Sequence, residues 1–155
     1  MAKISAGLLM YRIKNNELEF LLVHPGGPFS KNKDLGIWSI PKGEVNDGEE
    51  ELEAAKREFF EETGFKPEGQ FTSLAQIKQK GGKTVKAWSF DGNCDPEKIK
   101  SATFKMEWPP RSGEEKEFPE IDKAGFFGLE EAKQKINPAQ IPFLEELKEK
   151  LKNGF

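Results

Sequence analysis

Residues 4–13 are rich in apolar side chains and follow no helical period, which predicts a strand. Residues 19–23 repeat that signature, with Asn15-Asn16 as the turn between the two runs. His24-Pro25-Gly26-Gly27-Pro28 interrupts regular structure and reads as a loop. A third strand is expected over 36–40, ended by Pro41 and Gly43. From 49 to 63 the period changes. Leu52, Ala55, Phe59 and Phe60 fall near the i, i+3, i+4, i+7 spacing of an amphipathic helix. Asp47 is its expected N-cap with Glu50 as capping-box partner. Gly64 is its expected C-cap, and Pro67 prevents continuation.

Residues 71–80 and 84–90 read as strands joined by Gly81-Gly82, a hairpin signal. Residues 95–101 form a polar loop with one helical turn, 102–108 a strand, 108–113 an irregular loop and 124–127 a short strand. Residues 129–136 and 141–151 carry amphipathic helical patterns divided by Asn137-Pro138. Strands and helices interleave without regular βαβ alternation. An α/β fold with a mixed sheet and helices packed on it is therefore expected. No repeat or linker divides the 155 residues, so residues 1–155 read as a single domain.

Thirteen Phe and three Trp supply bulky core material and exclude wholesale disorder, despite a mean hydropathy of -0.70. No apolar run approaches the ~18 residues of a membrane span. The opening MAKISAGLLMYRIK reads as a strand and not as a signal peptide. Cys94, the single cysteine, excludes a disulfide framework and a multi-cysteine metal site. A cytoplasmic, soluble protein is expected.

A net charge of -3 argues against general nucleic-acid affinity. The distribution says more. Residues 44–62 hold nine acidic side chains against Lys56 and Arg57, so this segment is -7 and the remainder +4. A local negative knot in a mildly basic body suits a cation held beside a surface that tolerates anions.

Within that knot, Glu58, Glu61 and Glu62 occupy one helix face, at i, i+3 and i+4. Like charges so spaced repel by ~0.2–0.5 kcal/mol per pair even on an exposed helix. A divalent, oxygen-seeking cation compensates them, and Mg²⁺ characteristically takes a few carboxylates together with water and substrate phosphate. Glu49 and Arg57 are placed for a structural contact. Pro41-Lys42-Gly43 comes just before the helix: the glycine lets backbone approach a ligand closely, and Lys42 is either a phosphate contact or a surface lysine.

Gly43, Glu49 and the run Arg57-Glu58-Phe59-Phe60-Glu61-Glu62-Thr63-Gly64-Phe65 resemble the Nudix box, G-x5-E-x7-R-E-U-x-E-E-x-G-U, at every fixed position. The order of predicted elements is similar to the Nudix α/β/α sandwich with its mixed central sheet. The resemblance implies a Mg²⁺- or Mn²⁺-dependent hydrolase cutting a P–O–P bond in a nucleoside diphosphate derivative. It implies Glu58, Glu61 and Glu62 as metal ligands, with a carbonyl at Lys42 or Gly43. Glu61 and Glu62 would also be catalytic, and Glu49, Arg57 and Gly64 structural within the motif. In diadenosine-tetraphosphatase-like members an extra glutamate lies shortly before the last strand. The matching residue is Glu120, with Glu115 and Glu117 as rivals.

Outside the box, Arg111 is one of three arginines and lies on a Pro-Pro loop, where it could grip phosphate or simply belong to a loop anchored by Trp108. Trp38 and Trp88 could stack on a base, although a Trp in an apolar strand is more often core. His24, the only histidine, reads as a loop residue, and Cys94 as inert. Trp38-Ser39-Ile40-Pro41-Lys42-Gly43 is similar to the W-x-x-P-K-G entry of diadenosine tetraphosphate and diphosphoinositol polyphosphate hydrolases. Ser5-Ala6-Gly7 and Gly128-Leu129-Glu130-Glu131-Ala132 also resemble the first of these. The resemblance thus implies a dinucleoside polyphosphate substrate, with a (d)NTP second and a non-catalytic nucleotide-binding module third. The expected partner is a small-molecule nucleotide, with no nucleic acid and no membrane, in a monomer or homodimer.

Overall fold

The computed structural model describes residues 3–152. Strands β1 (Ile4–Lys14) and β2 (Glu17–Pro25) form an antiparallel hairpin whose turn residues Asn15 and Asn16 both have positive φ, 53° and 64°. This is the conformation a two-residue hairpin turn demands and Asn tolerates. A short strand β3 (Lys42–Glu44) pairs antiparallel with β1, and helix α1 follows over Glu51–Thr63. The chain continues through β4 (Thr72–Ser73), β5 (Ile77–Gln79) and β6 (Lys83–Asp91). A separate hairpin follows, β7 (Thr103–Glu107) and β8 (Glu115–Pro119). Strand β9 (Ile121–Gly128) then leads into helices α2 (Leu129–Lys135) and α3 (Ile141–Lys152).

The main sheet runs β4-β6-β1-β2-β9, with β3 added to β1 and β5 to β6. Only the β1–β6 pairing is parallel, so the sheet is mixed. Residues 5–11 of β1 are buried throughout, because both faces of the sheet are covered. Alternate side chains separate the two cores. Ala6, Leu8 and Met10 pack with Ala54, Ala55 and Phe59 of α1. Leu9 and Tyr11 pack with Ala132, Phe143, Leu144 and Leu147 of α2 and α3. The result is an α/β/α sandwich. No helix among the described residues is long and apolar enough to cross a membrane.

Several local expectations shift. Residues 36–40 make only isolated bridges, Val23–Ser39 and Trp38–Ile136, instead of a strand. Their backbone is divided between β2 and the end of α2: Ser39 N–H donates to Val23 O at 3.0 Å and Trp38 N–H to Lys135 O at 2.9 Å. The sheet pairing moves past Pro41 to β3. Helix α1 begins at Glu51, and its N-cap Glu50 makes no side-chain cap bond, so the Asp47/Glu50 capping box does not form. Glu49 Oε1 instead accepts from the Asn46 backbone N–H at 3.0 Å. At the other end Gly64, at φ 80°, closes the helix by donating its N–H to Phe60 O at 2.7 Å. The expected strand 71–80 breaks into β4 and β5, because Glu146 of α3 takes the Ala75 N–H at 2.7 Å. The 108–113 loop is the tip of the β7–β8 hairpin, whose second strand carried no apolar alternation to announce it.

Candidate active site

Strand β3 brings Gly43 against α1, and a Cβ at that position would overlap the Glu58 carboxyl group. Glycine is required here by close approach. Alternation along β3 then carries the Lys42 side chain to the opposite face, where its Cβ lies against Gly7. What Lys42 contributes to the acidic side is its backbone N–H, which Glu62 Oε1 accepts at 3.3 Å. The half-buried Lys42 ammonium is depressed in pKa, first by desolvation and then by Lys83, while Glu62 and Glu58 act the other way.

Arg57 ties the site together. Its Nε and Nη2 bind both oxygens of Glu49 at 2.8 and 3.0 Å, and Nη2 also reaches Glu44 O at 3.0 Å. Nη1 meets Glu58 Oε2 at 3.2 Å and Glu61 Oε2 at 3.2 Å. One planar fork therefore fastens the 44–49 loop to the helix and partly neutralises two of the three clustered carboxylates. The hydrogen bond from Arg57, followed by that from Asn46, holds Glu49 below the ordinary carboxylate range.

Three other carboxyl groups, those of Glu58, Glu62 and Glu120, are lifted. Glu62 is pushed up to about 8, by burial first and by Glu58 and Glu120 next, against the bond from Lys42. Burial also raises Glu58, with Glu61 and Glu120 adding to the effect and Arg57 opposing it. Glu120 rises through burial and then through repulsion from Glu61. These mutual influences put Glu120 in the field of the helix cluster. A relay of backbone bonds holds it there. Ala102 N–H donates to Glu61 O at 2.7 Å, Glu120 N–H to Ala102 O at 2.8 Å, and Gly26 N–H to Glu120 O at 2.8 Å. Glu115 and Glu117 lie exposed on β8, paired with Glu107 and Lys105 of β7.

Among the described residues no three carboxylate, imidazole or thiol groups converge as a ready-made cation cage. The donor chemistry nevertheless fits a hard divalent ion. Three carboxylates within one helical turn and a glycine backbone supply oxygen alone, and Mg²⁺ needs few protein ligands when water and phosphate complete its shell. In this structure the Arg57 guanidinium supplies the positive charge against Glu58 and Glu61.

Two expected contacts, Trp38 and Arg111, do not belong to this cluster. Trp38 is 4% exposed, with Nε1–H donating to Asp34 at 2.8 Å and its ring packed edge-on against His24 and Phe127, so it offers no face to a base. Arg111 sits exposed at the hairpin tip, where only its backbone N–H is engaged, by Glu107 at 2.6 Å. The Lys42 Cβ leaves β3 on the Gly7 side, yet its ammonium stays within the field of Glu62 and Glu58. Conversely, His24 is no loop residue. It is wholly buried near the end of β2, with Nδ1 2.7 Å from Asp122 Oδ1 and Nε2 2.7 Å from Lys33 O. Its partners lie 9 and 98 residues away, and only its being the lone histidine before Pro-Gly-Gly could have drawn attention to it. Cys94 is half-buried, and burial raises its thiol pKa, as suits an unreactive group.

The NUDIX domain family model matches residues 1–147, and the chain belongs to that family. A rat protein named bis(5'-nucleosyl)-tetraphosphatase (asymmetrical) is 34% identical over 100 residues, 57% of this chain and 64% of the relative. The match thus spans less than two thirds of that relative's length. A Bacillus subtilis protein named putative 8-oxo-dGTP diphosphatase is 42% identical over 53 residues, 34% of this chain and 31% of its own. A C. elegans Ap4A hydrolase, solved as a binary complex, superposes with a TM-score of 0.68 at 27% identity, covering 99% of this chain and all of the other.

Proposed function

We propose that this protein is a divalent-metal-dependent hydrolase that cleaves a P–O–P bond in a nucleoside diphosphate derivative, with a dinucleoside polyphosphate of the diadenosine tetraphosphate type as substrate. One observation carries the reading: Glu58, Glu61, Glu62 and Glu120 share one electrostatic neighbourhood beside the Gly43 backbone. The names of the rat and C. elegans relatives support the substrate class. A (d)NTP is the second reading, favoured by the Bacillus match.

Glu58, Glu61, Glu62 and the Gly43 carbonyl would hold Mg²⁺ or Mn²⁺, which when bound neutralises diphosphate charge and makes water more acidic. Arg57 and Glu49 orient the helix carboxylates. Glu120 is the proton acceptor: burial raises its proton affinity above that of an ordinary carboxylate, as a general base requires. Glu61 and Glu62 border the same space and position the attacking water. The protein acts as a single domain on a free nucleotide, as a monomer or homodimer. Its lone cysteine suits the reducing cytoplasm.

The test is phosphate release from a nucleotide panel with Mg²⁺, wild type against Glu62→Gln. The variant is expected to fold and to lose activity by ~10³-fold, since a ligand to the ion is worth several kcal/mol. Diadenosine tetraphosphate should yield ATP and AMP. Equal activity in both proteins rejects the site.

A further inference from the structure

Strand β9 does not pair evenly with β2. From Glu19 opposite Gly128 to His24 opposite Lys123 the partners keep step, but Pro25 stands opposite Ile121, so Asp122 has no partner in the ladder. One extra residue on one strand is a β-bulge, which bends the strand and re-aims its side chains. Both bulge side chains turn to the Trp38 side of the sheet. The Lys123 ammonium lies 5.7 Å from the Trp38 ring centre. Asp122 Oδ1 lies 2.7 Å from Nδ1 of His24, whose ring meets Trp38 edge-on at 5.2 Å. Pro25 follows directly and has no N–H to offer, so the ladder is weakest at this point.

Two residues before the bulge comes Glu120. Its main chain is held on one side by Ala102 and on the other by the Gly26 N–H, 2.8 Å from Glu120 O. The approach is tight, since a Cβ at Gly26 would overlap Pro119 O. Where the ladder fails, His24 takes over. Its wholly buried ring bonds Asp122 with one nitrogen and Lys33 O with the other, each at 2.7 Å, and so ties β9 to β2 and to the loop that follows. Lys33 O only accepts, so Nε2–H donates, and one more hydrogen lies between Nδ1 and Asp122. Desolvation offsets most of the attraction within such a pair. What it supplies is position.

We infer that His24 and Asp122 are positioning residues that lock the bulge and thereby set where Glu120 stands relative to the α1 carboxylates. For its effect on turnover, this inference rests on the nucleotide-hydrolase reading above. A proton acceptor displaced by about an ångström loses most of its use, so a brace two residues away governs rate without touching substrate.

The pair is best broken from its exposed side: the Asp122 side chain is 32% exposed, so its variants fold. Nucleotide turnover with Mg²⁺ and amide hydrogen exchange are measured for wild type, Asp122→Ala, Asp122→Asn, Glu120→Gln and the double variant Glu120→Gln/Asp122→Ala. Asp122→Ala should lower kcat by roughly 10- to 100-fold with KM nearly unchanged. It should also speed exchange at the Gly26 and Glu120 amides by about fivefold or more, while Gly64 at the end of α1 keeps its protection. Asp122→Asn should restore both, because its amide donates to Nδ1 of a ring that still donates through Nε2. In the Glu120→Gln background Asp122→Ala should cost nothing further, since it acts through Glu120. If Asp122→Ala keeps kcat, or costs as much with Glu120→Gln as without it, the assignment fails while the hydrolase reading stands. If wild type hydrolyses no nucleotide, the hydrolase reading fails and exchange alone decides. Protection lost in Asp122→Ala and regained in Asp122→Asn upholds the brace; unchanged protection overturns it.

Discussion

The acidic face of α1 and the β7–β8 hairpin are linked through the Ala102 and Glu120 backbones, yet they are built in opposite ways. The first is local and rigid. Its carboxylates come from five consecutive helical residues, a single arginine fastens two of the three, and Phe59 beneath is fully buried. The second is a largely exposed pair of strands within residues 103–119, and its apolar face meets residues about eighty positions earlier. Groups that must hold a fixed geometry are best carried by a packed helix, and a looser pairing tolerates variation.

That contrast can be broken by experiment. Phe59→Ala should cost ~3–5 kcal/mol in urea unfolding, because the ring fills the core under α1. Phe104→Ala should cost less than about 1.5 kcal/mol, since its ring joins neither core. Equal costs would show the hairpin to be as integral as the helix.

Gly43→Ala should cut kcat/KM by ~10² while leaving the fold intact, because displacing Glu58 by about an ångström misplaces the reacting groups. Unchanged kinetics would mean that the Gly43–Glu58 approach is irrelevant to turnover.

A pH series sharpens the electrostatic side. Glu62 binds its proton more tightly in the folded chain than in the unfolded one, where an ordinary value near 4.5 applies. The folded state is therefore fully favoured by this group below about pH 4.5, and loses that advantage as pH rises to about 8. Glu58 and Glu120 act in the same direction. In EDTA the unfolding free energy should fall between pH 5 and 8 by roughly 1–3 kcal/mol once partial exposure is discounted, read in urea at each pH. Mg²⁺ should flatten the slope by favouring the ionised carboxylates. A slope indifferent to Mg²⁺ would separate this cluster from cation binding.

A modest effect is expected at Trp38→Phe. It should cost about 1–2 kcal/mol through the lost Asp34 bond and ring volume, with KM unaltered. A raised KM would return Trp38 to the substrate.

Helix α1, its Gly64 stop and the Arg57–Glu49 pair were legible in the chain because each depends on neighbours within eight residues. The first hairpin was legible for the same reason. Strand β8 was not, since its Glu-Lys-Glu alternation earns its place only opposite β7. Apolar residues 36–40 looked like a strand because burial against α2 and β2 leaves the same signature as a ladder.

Sequence alone settled the acidic helix face, the glycine that faces it and the mixed α/β class, because helical period and close packing act over short separations. Tertiary structure alone decided that Glu120 and not Glu117 enters the cluster's field, that Trp38 turns away from it, and that His24 is buried between segments. Those outcomes hang on strand register and on contacts across up to a hundred residues, where a one-residue slip reverses every side chain.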